Sequence, residues 1–212
     1  MSGGPFFDDL RVGQVFDSAP RMTLTEGGAA ALHQAVLGDR MRLSLDTTLA
    51  TAVTGSARPL AHPCLVTDIA IGQSTLATQR VKANLFYRGL AFHRFVELGG
   101  DSLSTRTEVV GMKQNSVREG GRAPTGLVAL RMTTVDQRDR LVLDFHRCAM
   151  LPPLSPGVVE TGRADDLSSI ASMRWSQTRH ATGTQRRSGR EFPGRTSLST
   201  WRACGCAAPV TW

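Results

Sequence analysis

The first part of the chain has the apolar spacing of short helices. A run rich in Ala extends from residue 28 to residue 37 and places its apolar side chains on one helical face, namely Ala31, Leu32, Ala35 and Val36. Residues 46 to 53 predict another short helix, in which Asp46 caps the amino end and Gly55 follows the carboxyl end. An amphipathic helix normally turns its apolar face towards a core.

A more apolar helix is predicted from residue 64 to residue 76. Its apolar side chains lie on several sides of the helix and include Val66, Ile69, Ala70 and Ile71. Because a helix that is apolar on several sides is usually buried, we expect this helix to be central.

From residue 81 onward the pattern changes from helices to strands. Four segments rich in β-branched and aromatic residues are separated by turn signals, and they span residues 81–96, 102–112, 126–135 and 141–151. The short turn at residues 136–140 predicts that the last two strands form a hairpin. An early strand after Gly13, then helices, then four strands indicate an α+β fold with the apolar helix against an antiparallel sheet. Periodicity alone also permits other folds of sheet and helix.

The chain changes character after residue 153. Residues 161–212 contain all three Trp, no Lys, and a scatter of Ser, Thr, Gly and Arg without helical or strand period. We therefore predict one domain at residues 5–153 and an irregular or disordered tail at residues 154–212. Such a composition is also typical of a GC-rich gene translated in the wrong frame, so a frameshifted tail is the alternative to a functional extension.

The charge pattern does not indicate a nucleic-acid partner. The formal net charge is +7, but residues 1–160 hold 17 basic and 15 acidic side chains, whereas residues 161–212 hold 8 basic and 3 acidic ones. Most of the excess belongs to the tail, so the domain lacks the basic surface of a nucleic-acid binder. No segment resembles a signal peptide or approaches the roughly 18 apolar residues of a membrane span. We expect a soluble cytoplasmic protein without a membrane partner, a cofactor or a His-based metal site.

Five segments match, in order, the motifs of one enzyme family. They are the opening turn at residues 6–14, the segment at residues 37–46, the stretch Leu60-Ala61-His62 with Cys64-Leu65-Val66, the strand entry at residues 99–103, and the glycine-led strand at residues 125–128. Together they resemble the MaoC-like acyl-CoA hydratases. Residues 6–10, 21–27 and 101–115 are most similar to the N-terminal repeat of the two-repeat mesaconyl-CoA (2-methylfumaryl-CoA) hydratases. The resemblance implies a hot-dog fold, an antiparallel sheet wrapped around a central helix, which pairs as a homodimer or with a second repeat.

The resemblance also implies a chemistry that this chain meets incompletely. Hydration of an enoyl thioester needs a base to activate water, an acid to protonate the α-carbon, and donors for the enolate oxygen. In the family an Asp and, five positions on, a His hold the water; Asp39 matches the Asp, while Ser44 stands in place of the His. A Ser hydroxyl cannot take the proton near neutral pH. Pro63 replaces a Gly whose N–H serves as an oxyanion donor, and Pro has no N–H.

Other positions are candidates for substrate binding. His62 and Cys64 lie at the start of the central helix, and Arg80, Lys82 and Arg88 could meet the phosphates of coenzyme A. Each position also has a plainer interpretation. His62 suits the orientation of the helix start, Cys64 suits burial as a small apolar residue, and charges at sheet edges prevent aggregation.

Three functions remain open at this point, and all imply an acyl-CoA thioester as the ligand. The first is a MaoC-type hydratase/dehydratase of which this chain is the non-catalytic N-terminal half. The second is a degenerate hot-dog module that binds acyl-CoA or scaffolds a catalytic partner. The third is a hot-dog thioesterase, for which Asp68 is the available carboxylate on the central helix. Because the family's His is absent, the sequence leaves open whether the chain is itself an enzyme.

Overall fold

Strands and helices follow one another in the predicted order. The computed structural model describes residues 3–37, 41–115, 124–154 and 164–172. The helices are α1 (Gly28–Leu37), α2 (Arg42–Leu45), α3 (Thr47–Thr54), α4 (Pro63–Gln73), α5 (Thr75–Thr78) and α6 (Ser168–Ala171). The strands are β1 (Val15–Phe16), β2 (Met22–Thr23), β3 (Ala83–Phe92), β4 (Ser102–Gln114), β5 (Gly126–Val135) and β6 (Leu141–Leu151). The sequence predicted the four long strands closely and missed β2.

The strands form an antiparallel sheet in the order β1-β4-β5-β6-β3, and β2 pairs with β4. The predicted hairpin is confirmed, since β5 and β6 pair from Gly126 opposite Leu151 to Val135 opposite Leu141. Its turn is held by Asp136, whose Oδ1 accepts the N–H groups of Arg138 at 2.8 Å and Arg140 at 3.0 Å. The strand β3 ends the sheet, and within the described residues nothing pairs with its outer edge.

The central helix α4 packs on the inner face of this sheet. Its buried side chains share one apolar cluster with side chains of β4, β5 and β6, among them Leu65, Val66, Ile69, Leu130 and Phe145. This confirms the predicted α+β arrangement of a buried helix against an antiparallel sheet. The helix ends at Gln73 rather than at Leu76, because the Ser74 hydroxyl donates to the Ile71 carbonyl at 2.7 Å and closes the last turn.

Two of the family-like segments meet at the start of β5. Phe7, in a 3-10 turn at Phe7–Asp9, is 1% exposed and donates its N–H to the carbonyl of Pro152 at 2.9 Å. Its ring lies on Gly126, where a Cβ would stand 2.3 Å from ring carbons. A glycine at residue 126 is therefore what lets the opening turn close over the sheet.

The face of α1 is the clearest departure from the sequence prediction. The helix bounds are those predicted, but Leu32 is 60% exposed and Val36 69% exposed, while Ala30 is the buried residue. The apolar face with Leu32 and Val36 is therefore exposed in the chain as described. Leu45 on α2 and Val53 on α3 are exposed as well, so these three helices present apolar side chains outward.

Residues 164–172 cover part of the outer face of the sheet. Leu167 and Ile170 pack with Ala129 and Cys148 in a second apolar cluster. Asp165 binds the β4 main chain twice, through its N–H to the Met112 carbonyl at 3.1 Å and through its Oδ2 to the Met112 N–H at 2.8 Å. Ordered packing thus continues beyond residue 153, and the domain boundary drawn there stays a prediction.

The chain divides into two compact units, Met1–Trp175 and Ser176–Trp212. The second unit lies outside the described residues, and so does the part of the chain to which the frameshift hypothesis applies, apart from residues 164–172. Among the described residues no helix is long and apolar enough to span a bilayer.

Candidate functional site

The fold brings two of the family-like segments together at the amino end of α4. Ser44 on α2 is 6% exposed, and its hydroxyl donates to the carbonyl of Ala61, the residue before His62, at 3.4 Å. The Gln34 side chain on α1 donates to the Ser44 carbonyl at 2.7 Å. The position where the family has its His is therefore adjacent to the start of the central helix, as the resemblance implies.

His62 caps the amino end of α4. It is 2% exposed, has extended backbone angles, and its Nδ1 accepts the Cys64 N–H at 3.1 Å. An Nδ1 that accepts this bond carries no proton, so the ring proton belongs on Nε2. His62 and Ser44 thus flank Ala61, and Cys64, which is 8% exposed, completes the group.

The first two residues of α4 offer no free N–H donor. Pro63 occupies the first helical position and has no N–H. The next N–H, that of Cys64, is already bound by His62. An oxyanion hole needs N–H groups aimed at the developing charge. The sequence revealed the first of these losses, and only the structure reveals the second.

Asp39, the other member of the family's pair, lies outside the described residues. Its role stays a prediction, as does that of Ser44. The described geometry shows that Ser44 has no imidazole in its hydrogen-bonding environment, since its recorded partners are the carbonyls of Ala61 and Met41 and the side chain of Gln34. The Ser44 hydroxyl cannot itself deprotonate a water molecule near neutral pH.

The basic candidates lie along β3 and not at the start of α4. Arg80 donates from Nε to the Gly4 carbonyl at 2.8 Å, with its guanidinium 4.1 Å from the Phe6 ring centre. Arg88 donates from Nε to the Ala171 carbonyl at 2.9 Å, which ties β3 to α6. Lys82 is exposed. Both arginines thus hold neighbouring main chain, and a role of any of the three towards coenzyme A stays a prediction.

The carboxylate on the central helix forms a hydrogen bond with a histidine of α1. His33 on α1 has its Nε2 2.8 Å from Asp68 Oδ2 and its Nδ1 2.8 Å from the Ala29 carbonyl. Both ring nitrogens therefore act as donors. Burial works to lower the pKa of His33, but the hydrogen bonds to Asp68 and Ala29 and the Asp68 charge outweigh it, so the pKa is raised.

Sequence reasoning also missed a buried arginine. Arg147 on β6 is 1% exposed, and its Nη2 donates to Oγ1 of Thr78 on α5. Burial lowers the pKa of Arg147, opposed by the charge and hydrogen bond of Tyr87. The signal was present in the alternation of β6, in which Arg147 falls on the same face as Phe145 and Ala149.

The described residues offer no obvious alternative chemistry. Among them no group of three or more His, Cys, Asp or Glu could hold a metal ion. Burial raises the pKa of Cys148 to about 11, so its sulfur is a protonated thiol at neutral pH and a poor nucleophile.

Comparison with known proteins identifies the fold and the family. No family model matches the chain. A curated relative, the beta-methylmalyl-CoA dehydratase of Chloroflexus aurantiacus, is 34% identical over 154 residues, which cover 72% of this chain and 42% of the relative. A conserved protein of Mycobacterium tuberculosis with a double hot-dog fold is 60% identical, with a TM-score of 0.74, over 86% of this chain and 53% of that one.

A MaoC domain dehydratase from Chloroflexus aurantiacus is 32% identical with a TM-score of 0.67, over 76% of this chain and 44% of that one. The chain thus spans about half the length of these relatives. The sequence resemblance is confirmed by these proteins, and the predicted hot-dog fold by the two solved structures. The chain belongs to the MaoC-like hydratase/dehydratase family of hot-dog proteins.

Proposed function

We propose that this chain is the non-catalytic N-terminal half of an enoyl-CoA hydratase/dehydratase that acts on a thioester such as mesaconyl-CoA. The observation that carries the proposal is the amino end of α4, where residue 63 has no N–H and the Cys64 N–H is bound by His62. Ser44 beside it cannot act as a base. Loss of one oxyanion donor alone typically lowers kcat by on the order of 10²–10³.

The substrate class follows from the relatives. Dehydration of a β-methylmalyl thioester yields a mesaconyl thioester, which is a diacid esterified to coenzyme A at one end only. This half would bind such a ligand without turning it over. It would contribute binding contacts to the acyl site, while the acid and the base would belong to the other half. We take the cytoplasm as its location, which stays a prediction.

An assay of the purified 212-residue chain tests this proposal. We expect it to bind mesaconyl-CoA, yet to show no loss of enoyl absorbance above that of a Ser44→Ala variant, and no release of free coenzyme A. Hydration by the unmodified chain above the Ser44→Ala rate would show that the half is catalytic. Release of coenzyme A would favour the thioesterase, for which Asp68 is already paired with His33.

A second hot-dog unit is the partner that the surface favours. The outer edge of β3 is unpaired within the described residues, and α1, α2 and α3 expose Leu32, Val36, Leu45 and Val53. An open edge and exposed apolar side chains together are typical of a surface that another chain covers. Light scattering after size exclusion should give a dimer mass for the chain alone.

Coexpression with the neighbouring reading frame should restore hydration if that frame encodes the catalytic repeat. No restoration of hydration would favour the degenerate binding module.

A further inference from the structure

Arg147 stands on the inner face of the sheet, one strand from its open edge. It lies opposite Leu130 on β5 and opposite Tyr87 on β3. Directly opposed residues of antiparallel strands project to the same face, so Tyr87 and Arg147 are neighbours there. The Tyr87 ring also packs near the Phe145 ring, with centres 6.2 Å apart. The guanidinium is thus embedded among the side chains of the main apolar cluster.

This guanidinium has more donors than the surrounding protein has acceptors. A guanidinium carries five N–H donors. Nη2 donates to Thr78 Oγ1, and Tyr87 supplies a further hydrogen bond. Nε is buried with no acceptor among the described residues. In that part of the chain no carboxylate forms an ion pair with Arg147, in contrast to Arg131, which pairs with Asp144 at 2.7 Å, and Arg140, which pairs with Asp136 at 2.6 Å.

A buried cation without a counter-ion is costly, and a Leu or Met of similar size would fill the same space without that cost. Arginine is nevertheless present at a position flanked by Phe145 and Ala149 on one face of β6. Its planar fork is the protein group best matched to a carboxylate, which accepts two parallel N–H bonds. The unoccupied donors therefore fit an anionic group brought by a ligand.

We propose that Arg147, positioned by Thr78 and Tyr87, binds the free carboxylate of a dicarboxylic acyl-CoA. The inference rests on the proposed function, in which the acyl group is a diacid joined to coenzyme A at one end. Thr78 and Arg147 are both at most 3% exposed, whereas Tyr87, which stands between Arg147 and the open edge of β3, is only partly buried. The acyl end opposite the thioester would then lie between the sheet and α5.

Binding of two thioesters to the full-length chain tests the proposal. Mesaconyl-CoA has the second carboxylate and crotonyl-CoA lacks it, while the coenzyme A phosphates are common to both. Titration calorimetry of the unmodified chain should show mesaconyl-CoA binding roughly 10- to 100-fold more tightly, the range of a charge-assisted hydrogen-bonded pair. Arg147→Met should remove this preference and leave the affinity for crotonyl-CoA unchanged.

Matched variants separate recognition from folding. Arg131→Met, on the neighbouring strand and exposed, should keep the full preference. Arg147→Lys keeps the positive charge but not the planar guanidinium, and it should retain a several-fold preference for mesaconyl-CoA. If Arg147→Met does not fold, the reduced preference of Arg147→Lys tests the role of Arg147 instead. Free mesaconate should raise the Tm of the unmodified chain and of Arg131→Met, raise that of Arg147→Lys less, and leave that of Arg147→Met unchanged.

The outcomes distinguish this inference from the function on which it rests. Equal affinity of the unmodified chain for both thioesters, or a preference that survives in Arg147→Met, overturns the role of Arg147 while acyl-CoA binding stands. No measurable binding of either thioester overturns the proposed function and the inference with it. Loss of the preference for mesaconyl-CoA in Arg147→Met, with the preference kept in Arg131→Met, supports both the role of Arg147 and the proposed function.

Discussion

The strands from β3 to β6 and the helical segment before them differ in how completely their apolar side chains are buried. In β4, β5 and β6 the inner-face side chains such as Leu103, Leu130 and Phe145 are 0% exposed, and the strands pair over nearly their whole length. In α1, α2 and α3 large apolar side chains point outward, and Leu32 is 60% exposed. Side chains of the sheet and of α4 form the buried core, whereas α1, α2 and α3 expose apolar side chains.

The sheet carries the family's fold, whereas the residues that depart from the family's motifs lie in the helical segment and at the start of α4. The buried sheet has the hot-dog fold of the family. Gly126 at the start of β5 leaves room for the Phe7 ring. The departures from the family's chemistry, Ser44 and Pro63, both lie in the helical segment and at the start of α4. The hot-dog fold of the family is thus present in a chain that departs from the family's sequence pattern at residues 44 and 63.

The largest effect should come from the sheet core. Phe145→Ala removes a fully buried ring and should lower the free energy of unfolding by about 3–5 kcal/mol, measured by urea denaturation. Val12→Ala, at a position of the opening turn that is 57% exposed, is the control and should change it by less than about 0.5 kcal/mol. A loss above 2 kcal/mol in Leu32→Ala would show that the helical face is already covered in solution.

The next largest effect is expected on the hydration rate, from substitutions of Ser44 and Pro63 near the amino end of α4. The double variant Ser44→His/Pro63→Gly restores an imidazole at the family position and an N–H at the helix start. We expect hydration of mesaconyl-CoA to rise from background by on the order of 10². The single variant Pro63→Gly is the control, and it should stay near background because no base is present. Equal rates in the single and double variants would contradict the role assigned to residue 44.

A smaller effect belongs to the hairpin of the sheet. Burial works to raise the pKa of Asp136, but the main-chain N–H groups of Arg140 and Arg138 and the Arg140 side chain outweigh it, so the pKa is lowered below 3.8. The stabilisation is therefore present above pH 3.8 and is lost as pH falls through the lower value in the folded protein. Asp136→Asn should cost about 1–3 kcal/mol at pH 7 and flatten the acid limb of the stability curve. Asp139→Asn, at an exposed position of the same turn, should leave that limb unchanged.

The smallest effect concerns the link between α1 and α4. The pKa of His33 is raised above 6.5, so its stabilising contribution is complete below pH 6.5 and is lost as pH rises through the higher value in the folded protein. Because Asp68 is 62% exposed, His33→Gln should lower stability at pH 5.5 by about 0.2–1 kcal/mol and have less effect at pH 8.5. Asp68→Asn should reproduce this pH dependence in thermal unfolding. An equal loss at both pH values would show that the pair acts by packing and not by charge.

Elements set by local pattern were predictable from the sequence. The period of apolar residues gave the strands from β3 to β6 and the bounds of α1, and the capping residues Asp46 and Gly55 gave α3, whose N-cap bond from Leu49 measures 2.9 Å. The end of α4 was misplaced because a Ser hydroxyl can close a helix turn without any change in apolar period. The structure, and not the sequence, placed Ser44 beside the start of α4.

By itself, therefore, the sequence determined the order of the long elements, the family, and the presence of Ser44 and Pro63 where the family has other residues, because these depend on residue type and spacing along the chain. Only the tertiary structure decided that His62 binds the Cys64 N–H, that His33 meets Asp68, and that Arg147 has Thr78 beside it and no carboxylate partner among the described residues. The last two contacts join residues 35 and 69 positions apart. Such contacts arise from how the helices pack on the sheet, and local periodicity reports which face of an element is apolar but not what that face meets.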